Sequence, residues 1–225
     1  MDLPCQVPIM TLPDATLFPG SLLPLHIFEP RYRRMLKDAL ETSRVFAIAM
    51  RKPGCKKEIP LQVAGLGMIR VALNRPDGTS NVVLQGLSRV ALMGAVRRRP
   101  YRIESAMPLL AKRNTFPEAS SLTRQLRDLV STRLEQEEPM TKHELLKQLP
   151  PEAIPQFDAM ATASLKHFVD LLNDVKDPGQ VADLVGCTLL RKPGDRQIIL
   201  ETVEVEPRLR MVIRFLKEEI HRAGF

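Results

Sequence analysis

The sequence predicts an α+β chain: a β-barrel subdomain over residues 1–113, then an α-helical bundle over residues 114–225. Two observations carry this. Apolar residues in the first half fall in short runs, some alternating with polar ones at the period of a strand. From Phe116 onward they recur instead at three- and four-residue intervals, the period of an amphipathic helix. The change of period falls between Leu110 and Pro117.

Val7 to Leu12 and Ser21 to Phe28 read as strands, separated by a turn at Phe18-Pro19-Gly20. Proline presets φ and glycine punctuates, so the pair marks a turn. Pro30 suits the first position of a helix, where its missing N–H is no loss. Behind it Tyr32, Met35, Leu36, Ala39 and Leu40 form one apolar face. Val45 to Met50 has the length and composition of a buried strand. Leu61 to Leu73 is another strand, in which Gly65 and Gly67 point to a bulge or a close backbone approach. Asn74 to Gly78 is a turn. Ser80 to Gln85, Ser88 to Val96 and Tyr101 to Met107 complete a set of about seven short strands, which suits a closed or nearly closed barrel.

In the second half Leu122, Leu126, Leu129, Val130 and Leu134 make one helical stripe. Thr141 to Leu149 reads as a short helix ended by Pro150-Pro151, and Phe157 to Val175 as another. Asp177-Pro178 opens the next helix, with Asp as N-cap. Pro193 to Val203 and a helix opened by Glu206-Pro207 finish the bundle.

Composition narrows the function classes. The chain has 225 residues, 44% of them apolar, enough for a sizeable core. Its net charge of +7 is spread along the chain, apart from the run Arg97-Arg98-Arg99. Spread charge describes a solvated surface better than a nucleic-acid face. Three widely spaced cysteines suggest no disulfide framework and a reducing compartment, and no apolar run reaches membrane-spanning length. The expectation is a cytoplasmic protein with no membrane partner.

Motifs of catalysis are missing from the sequence. No Gly is followed by Lys, so there is no phosphate-binding loop, and Gly65-Leu66-Gly67 lacks the third glycine of a dinucleotide site. His143-Glu144 begins like a zinc-protease helix, but Lys147 stands where the second histidine belongs. Ser21 follows Pro19-Gly20, but it opens an apolar strand and no Gly-x-Ser-x-Gly elbow surrounds it. The sequence gives no reason to expect a cofactor, a metal or a catalytic residue.

LPDATLFPGSLLPLHIFEPRYRRML, from Leu12 to Leu36, resembles the N-terminal substrate-binding domain of Lon proteases. Asp77-Gly78-Thr79 followed by Leu84-Gln85-Gly86-Leu87-Ser88-Arg89-Val90 is similar to that domain's hairpin, which ends in Gly-x-x-Arg. Val181 to Val185, Gln197 to Glu201 and Arg208-Leu209 resemble its helical part. The resemblance implies a PUA-like barrel. Lon continues into an ATPase and a Ser-Lys protease, and neither signature occurs here, so the chain resembles a stand-alone, non-catalytic Lon-domain protein.

The resemblance implies binding of exposed apolar segments of unfolded or tagged polypeptide, or of a protein partner, in proteolysis or quality control. The candidates are Phe18, Leu22, Leu23, Leu25, Ile27 and Phe28. Ordinary core packing is the alternative for each, and strand alternation must send Leu22 and Pro24 to one face and Leu23 and Leu25 to the other. The expected place is the junction of barrel and bundle. A second reading is an RNA-binding module, with Arg97, Arg98, Arg99 and Arg102 on phosphates and Tyr101 as a stacking ring. A third, a hydrolase or peptidase, has no local signature.

Overall fold

The computed structural model describes residues 4–55, 57–111, 117–146 and 166–222. Six strands make one sheet: β1 (Gln6–Leu12), β2 (Leu22–Ile27), β3 (Val45–Met50), β4 (Val63–Asn74), β5 (Ser80–Arg97) and β6 (Arg102–Leu109). Their order is β2-β5-β4-β3-β1-β6, and β6 also pairs with β5. Strands β1, β3, β4, β5 and β6 therefore close a barrel, and β2 hangs outside the ring on β5. Only β1 and β3 run parallel; the other pairs are antiparallel.

Closure depends on the length of β5. Its first part, Ser80 to Gln85, lies between β2 and β4, and its last part, Arg89 to Arg97, pairs with β6. Register shifts at Leu92/Gly94 and Ala95/Arg97 bend it round, as bulges do. The expected break between Ser80–Gln85 and Ser88–Val96 does not occur, so six strands replace about seven. Gly86 stays in the ladder. It serves not as a turn but as a gap in the side-chain surface, where a Cβ would collide with the Phe18 carbonyl.

The Phe18–Ser21 turn explains that gap. Ser21 N–H donates to the Phe18 carbonyl at 3.1 Å, and Gly20 has φ +80°. These are the features of a type II turn, with Pro19 and Gly20 at its centre. The Ser21 hydroxyl locks it further, donating to the Phe18 carbonyl at 2.8 Å and accepting from Phe18 N–H at 3.1 Å. The turn lies across β4 and β5. Gly65 lacks a side chain where the Leu17 carbonyl passes, and Gly67 where the Leu17 and Leu84 side chains pass.

Two core clusters meet across β3, which is buried along its whole length. Phe46 and Ile48 join the cluster that contains Tyr32, Met35, Leu36 and Ala39 of α1 (Pro30–Leu40). Val45, Ala47 and Ala49 join a second cluster with Val7, Ile9, Ala64, Leu66 and Val90.

The remaining helices are α2 (Ala119–Leu146), α3 (residues 166–174), α4 (Pro178–Leu189), α5 (Pro193–Glu201) and α6 (Val205–Arg222). The short helix expected from Thr141 is the continuation of α2 to Leu146; residues 147–149 lie outside the described residues. So does 157–165, the first part of the helix expected from Phe157. Asp177 caps α4 as its sequence predicts, accepting Gln180 N–H on Oδ1 at 2.8 Å.

The chain divides into two compact units: Met1–Arg113 with Gly186–Glu204, and Asn114–Val185 with Val205–Phe225. In the first, α5 is fastened to the sheet by polar side chains. Arg89 Nε donates to the Leu200 carbonyl at 2.9 Å, and Gln197 Nε2 to the Val63 carbonyl at 3.0 Å. In the second, α2 buries Leu122, Leu126, Val130 and Leu134, and α6 buries Leu209, Val212, Ile213 and Leu216. Two buried ion pairs lie within this unit: Arg208–Asp183 at 2.8 Å and Arg133–Glu219 at 3.3 Å.

Candidate functional site

Strand β2 brings the apolar candidates to one edge and then sorts them. It pairs with β5 from Leu22↔Gln85 to Ile27↔Ser80, and among the described residues β5 is its only partner. Its outer edge is thus unpaired, the feature an incoming strand needs. Pro24 has no N–H to donate, which suits an outermost strand.

Alternation divides the side chains. Leu23 and Leu25 pack on the α1-side core, and Ile27 is buried within it. Leu22, Pro24 and His26 point the other way and are exposed. Phe18 lies wholly buried beneath the turn, with the Arg89 guanidinium 5.9 Å from its ring centre. Phe28, just past the strand, is 60% exposed and stacks on His26 with ring centres 6.0 Å apart. Of the six apolar candidates, Leu22 and Phe28 therefore form surface, Leu23 and Leu25 are half-buried, and Phe18 and Ile27 are core.

The sheet adds residues that no local pattern marked. Register places Val83 opposite Pro24 and Val71 opposite Val83, and Leu73 opposite Asn81, which itself faces His26. The outer face of β2, β5 and β4 thus carries Leu22, Pro24, Val83, Val71 and Leu73. Leu22 is 63%, Leu73 62% and Val71 43% exposed. Two polar pairs cross this face. His26 Nδ1 donates to Asn81 Oδ1 at 2.9 Å, and Arg70 Nε to Gln85 Oε1 at 2.6 Å. They satisfy polar groups between strands and leave the apolar atoms open. An exposed apolar face beside an unpaired edge is a surface for an extended apolar segment: main chain on the edge, alternate side chains against the face.

The basic candidates go elsewhere in the same unit. Arg97 is exposed at the end of β5, and Arg98 and Arg99 are exposed in the connection from β5 to β6. Arg102 pairs with Glu104, which is buried. Tyr101 is only 5% exposed. Its hydroxyl donates to Asp38 Oδ2 at 2.8 Å, and the Arg97 guanidinium lies 5.0 Å from its ring centre. Burial and the Asp38 carboxylate together push the Tyr101 hydroxyl above the usual phenol range, and the same hydrogen bond holds Asp38 below the usual carboxylate range. Tyr101, just before β6, is a structural tie to α1, with its ring already covered.

Among the described residues no group of three or more His, Cys, Asp or Glu side chains is placed to hold a metal ion, and no helix is long and apolar enough to cross a membrane.

The family model for the ATP-dependent protease La (LON) substrate-binding domain matches residues 6–218. The chain belongs to the Lon substrate-binding domain family. Curated relatives of this Lon domain include the Lon proteases of Dictyoglomus thermophilum, 24% identical over 97% of this chain, and Desulfosudis oleivorans, 27% identical over 97%. The Lon protease of Escherichia coli K12 is 24% identical over 96% of it. The chain spans about a quarter of the length of these relatives. Among solved structures, the N-terminal domain of a Mycobacterium avium complex Lon protease superposes with a TM-score of 0.70 at 18% identity, covering 94% of this chain and 98% of that one. A Lon N-terminal domain protein from Xanthomonas campestris gives 0.60 at 19%, covering 93% and 97%. These likenesses show the Lon N-terminal fold. The Gly-x-x-Arg of the hairpin acquires a physical reason in it: Gly86 admits the Phe18 carbonyl, and Arg89 anchors α5.

Proposed function

We propose that this Lon domain is a non-catalytic recognition module that binds extended, apolar polypeptide segments along β2. The carrying observation is the coincidence of an unpaired strand edge with exposed apolar side chains on the adjoining face, Leu22, Val71, Leu73 and Phe28. Family membership supports the choice of polypeptide as the ligand. A client strand would pair its backbone with β2 and lay every second side chain beside Leu22, Pro24 or His26, with Phe28 at the end of the edge. The affinity expected is modest, on the order of micromolar or weaker, because an unfolded client gives up conformational freedom when it docks.

The test is a titration of a labelled, permanently unfolded protein against the wild type and two double variants. Leu22→Ser/Phe28→Ser removes the exposed apolar side chains at the β2 edge. Met93→Ser/Met107→Ser removes other exposed apolar side chains, from β5 and β6 away from that edge. The first variant should lose binding and the second keep it, with melting temperatures close to wild type. Binding should persist as salt rises over about a tenfold range, since apolar docking is weakly screened. Retained binding in Leu22→Ser/Phe28→Ser would refute the assigned edge.

A further inference from the structure

The connection from β5 to β6 does more than turn the chain. With the start of α1, the end of β1 and Glu58 it encloses a cavity of about 320 Å³. Four arginines line it, Arg31, Arg98, Arg99 and Arg102, against the single carboxylate of Glu58, and Thr11 adds a buried polar wall.

The four differ in how they are held. Arg31 is fixed: it donates to both carboxylate oxygens of Glu58 and to Glu29, and its guanidinium lies 4.5 Å from the Tyr32 ring centre. Arg102 is held by Glu104. Arg98 and Arg99 have no ion-pair partner among the described residues, and they carry the uncompensated charge. A guanidinium offers five N–H donors in a planar fork that matches the oxygens of a phosphoryl group. Two free forks supply more donors than the two oxygens of a carboxylate can use, and a phosphoryl dianion has three. The volume lies at the small end of ligand pockets. It suits a single phosphorylated group better than a length of polynucleotide. A stacking platform for bases is absent at Tyr101, whose ring is buried under Arg97.

We propose that this cavity binds a phosphoryl group, through Arg98 and Arg99 acting against the fixed wall of Arg31 and Arg102. The site is independent of the β2 edge and goes beyond the polypeptide reading. Two sources share the chemistry, a small phosphate monoester and a phosphorylated side chain on a polypeptide.

Calorimetric titration of the whole chain in about 150 mM salt with O-phosphoserine, a short phosphoserine peptide, its unphosphorylated twin and a single-stranded oligoribonucleotide tests it. Phosphorylated probes should saturate one site, and the unphosphorylated peptide should not compete for it. Equal affinity of the two phosphorylated probes assigns a small-molecule source, and tighter binding of the peptide a polypeptide source; both outcomes support the site. Arg98→Gln/Arg99→Gln should weaken binding about tenfold or more without a change in melting temperature, since both side chains are exposed. Arg210→Gln/Arg214→Gln removes the same charge from the exposed face of α6 and should leave binding unchanged. Equal weakening by both variants, no saturable phosphorylated probe, or binding of the oligoribonucleotide alone would overturn the proposal.

Discussion

At the scale of the residue, Tyr101 and Phe28 show how far identity alone carries. Both are aromatics beside polar or basic neighbours; the sequence favours core packing over a binding surface for Phe28, and a solvated strand end over a stacking ring for Tyr101. The fold decided between them: Tyr101 is buried and bonded to Asp38, while Phe28 is exposed on His26. Removing only the hydroxyl measures the first. Tyr101→Phe should cost about 1 kcal/mol, the usual worth of one hydrogen bond, rather more for a charged acceptor. The pH dependence follows from Asp38, whose carboxyl is held low chiefly by that hydroxyl and then by Arg34. A depressed carboxylate stabilises the fold above its unfolded value, near pH ~4, and the contribution is lost as pH falls through the folded value. The gap between wild type and Tyr101→Phe in urea melts should be constant from neutral pH down to that range and narrow below it. A gap that widens in acid would contradict this assignment. Phe28→Ser, by contrast, should leave stability nearly unchanged, because no cavity opens at an exposed ring.

At the scale of the element, most boundaries were legible because they rest on local chemistry. The Pro30 start of α1, the Asp177 cap and the Pro19-Gly20 turn each follow from a residue's own dihedral or hydrogen-bonding limits, and β3 from a short run of apolar residues. Gly65 and Gly67 were legible as a bulge or a close approach; the structure has a register shift at Leu66/Gly67 and a close approach, but the sequence could not say what approached. That is a tertiary fact, as is the continuity of β5 through Gly86. The outer face was invisible for the same reason: Val71, Leu73 and Val83 join Leu22 only through register. Gly86→Ala tests the approach. Its methyl would strike the Phe18 carbonyl, a backbone atom that cannot rotate away, so a loss of about 1–3 kcal/mol is expected. Gly194, in the first turn of α5, meets nothing within 4 Å and has no positive φ. Gly194→Ala should be neutral or slightly stabilising, since it mainly restricts the unfolded chain. Similar losses in both would mean that glycine is needed for backbone freedom rather than for space. In the helical unit, Asp183→Ala leaves Arg208 buried without that carboxylate and should cost about 3 kcal/mol, measurable by denaturant titration.

At the scale of the whole molecule, a chain that changes period once suggests two consecutive pieces, but residues 186–204 return to the sheet unit. No periodicity could reveal this, because a helix needs an apolar stripe whether it packs on a sheet or in a bundle. Its partners are a carbonyl-seeking arginine on β5 and a β4 carbonyl, fixed only in three dimensions. The consequence is that Met1–Arg113 is not a complete folding unit. Cutting there removes Ile199 and Leu200, both fully buried, and each such side chain is worth about 1.5–3 kcal/mol when buried. It also leaves the Arg89 guanidinium without the Leu200 carbonyl. Together these losses approach the total stability of an ordinary domain, about 5–15 kcal/mol. The fragment Met1–Arg113 should therefore melt without a cooperative transition, and its β4 and β5 amides should exchange with deuterium far faster than in the full chain. A fragment in which Gly186–Glu204 is rejoined to Arg113 by a flexible linker should recover much of that protection. If Met1–Arg113 alone melts cooperatively at the temperature of the full chain, α5 is an accessory and not part of the sheet unit's core.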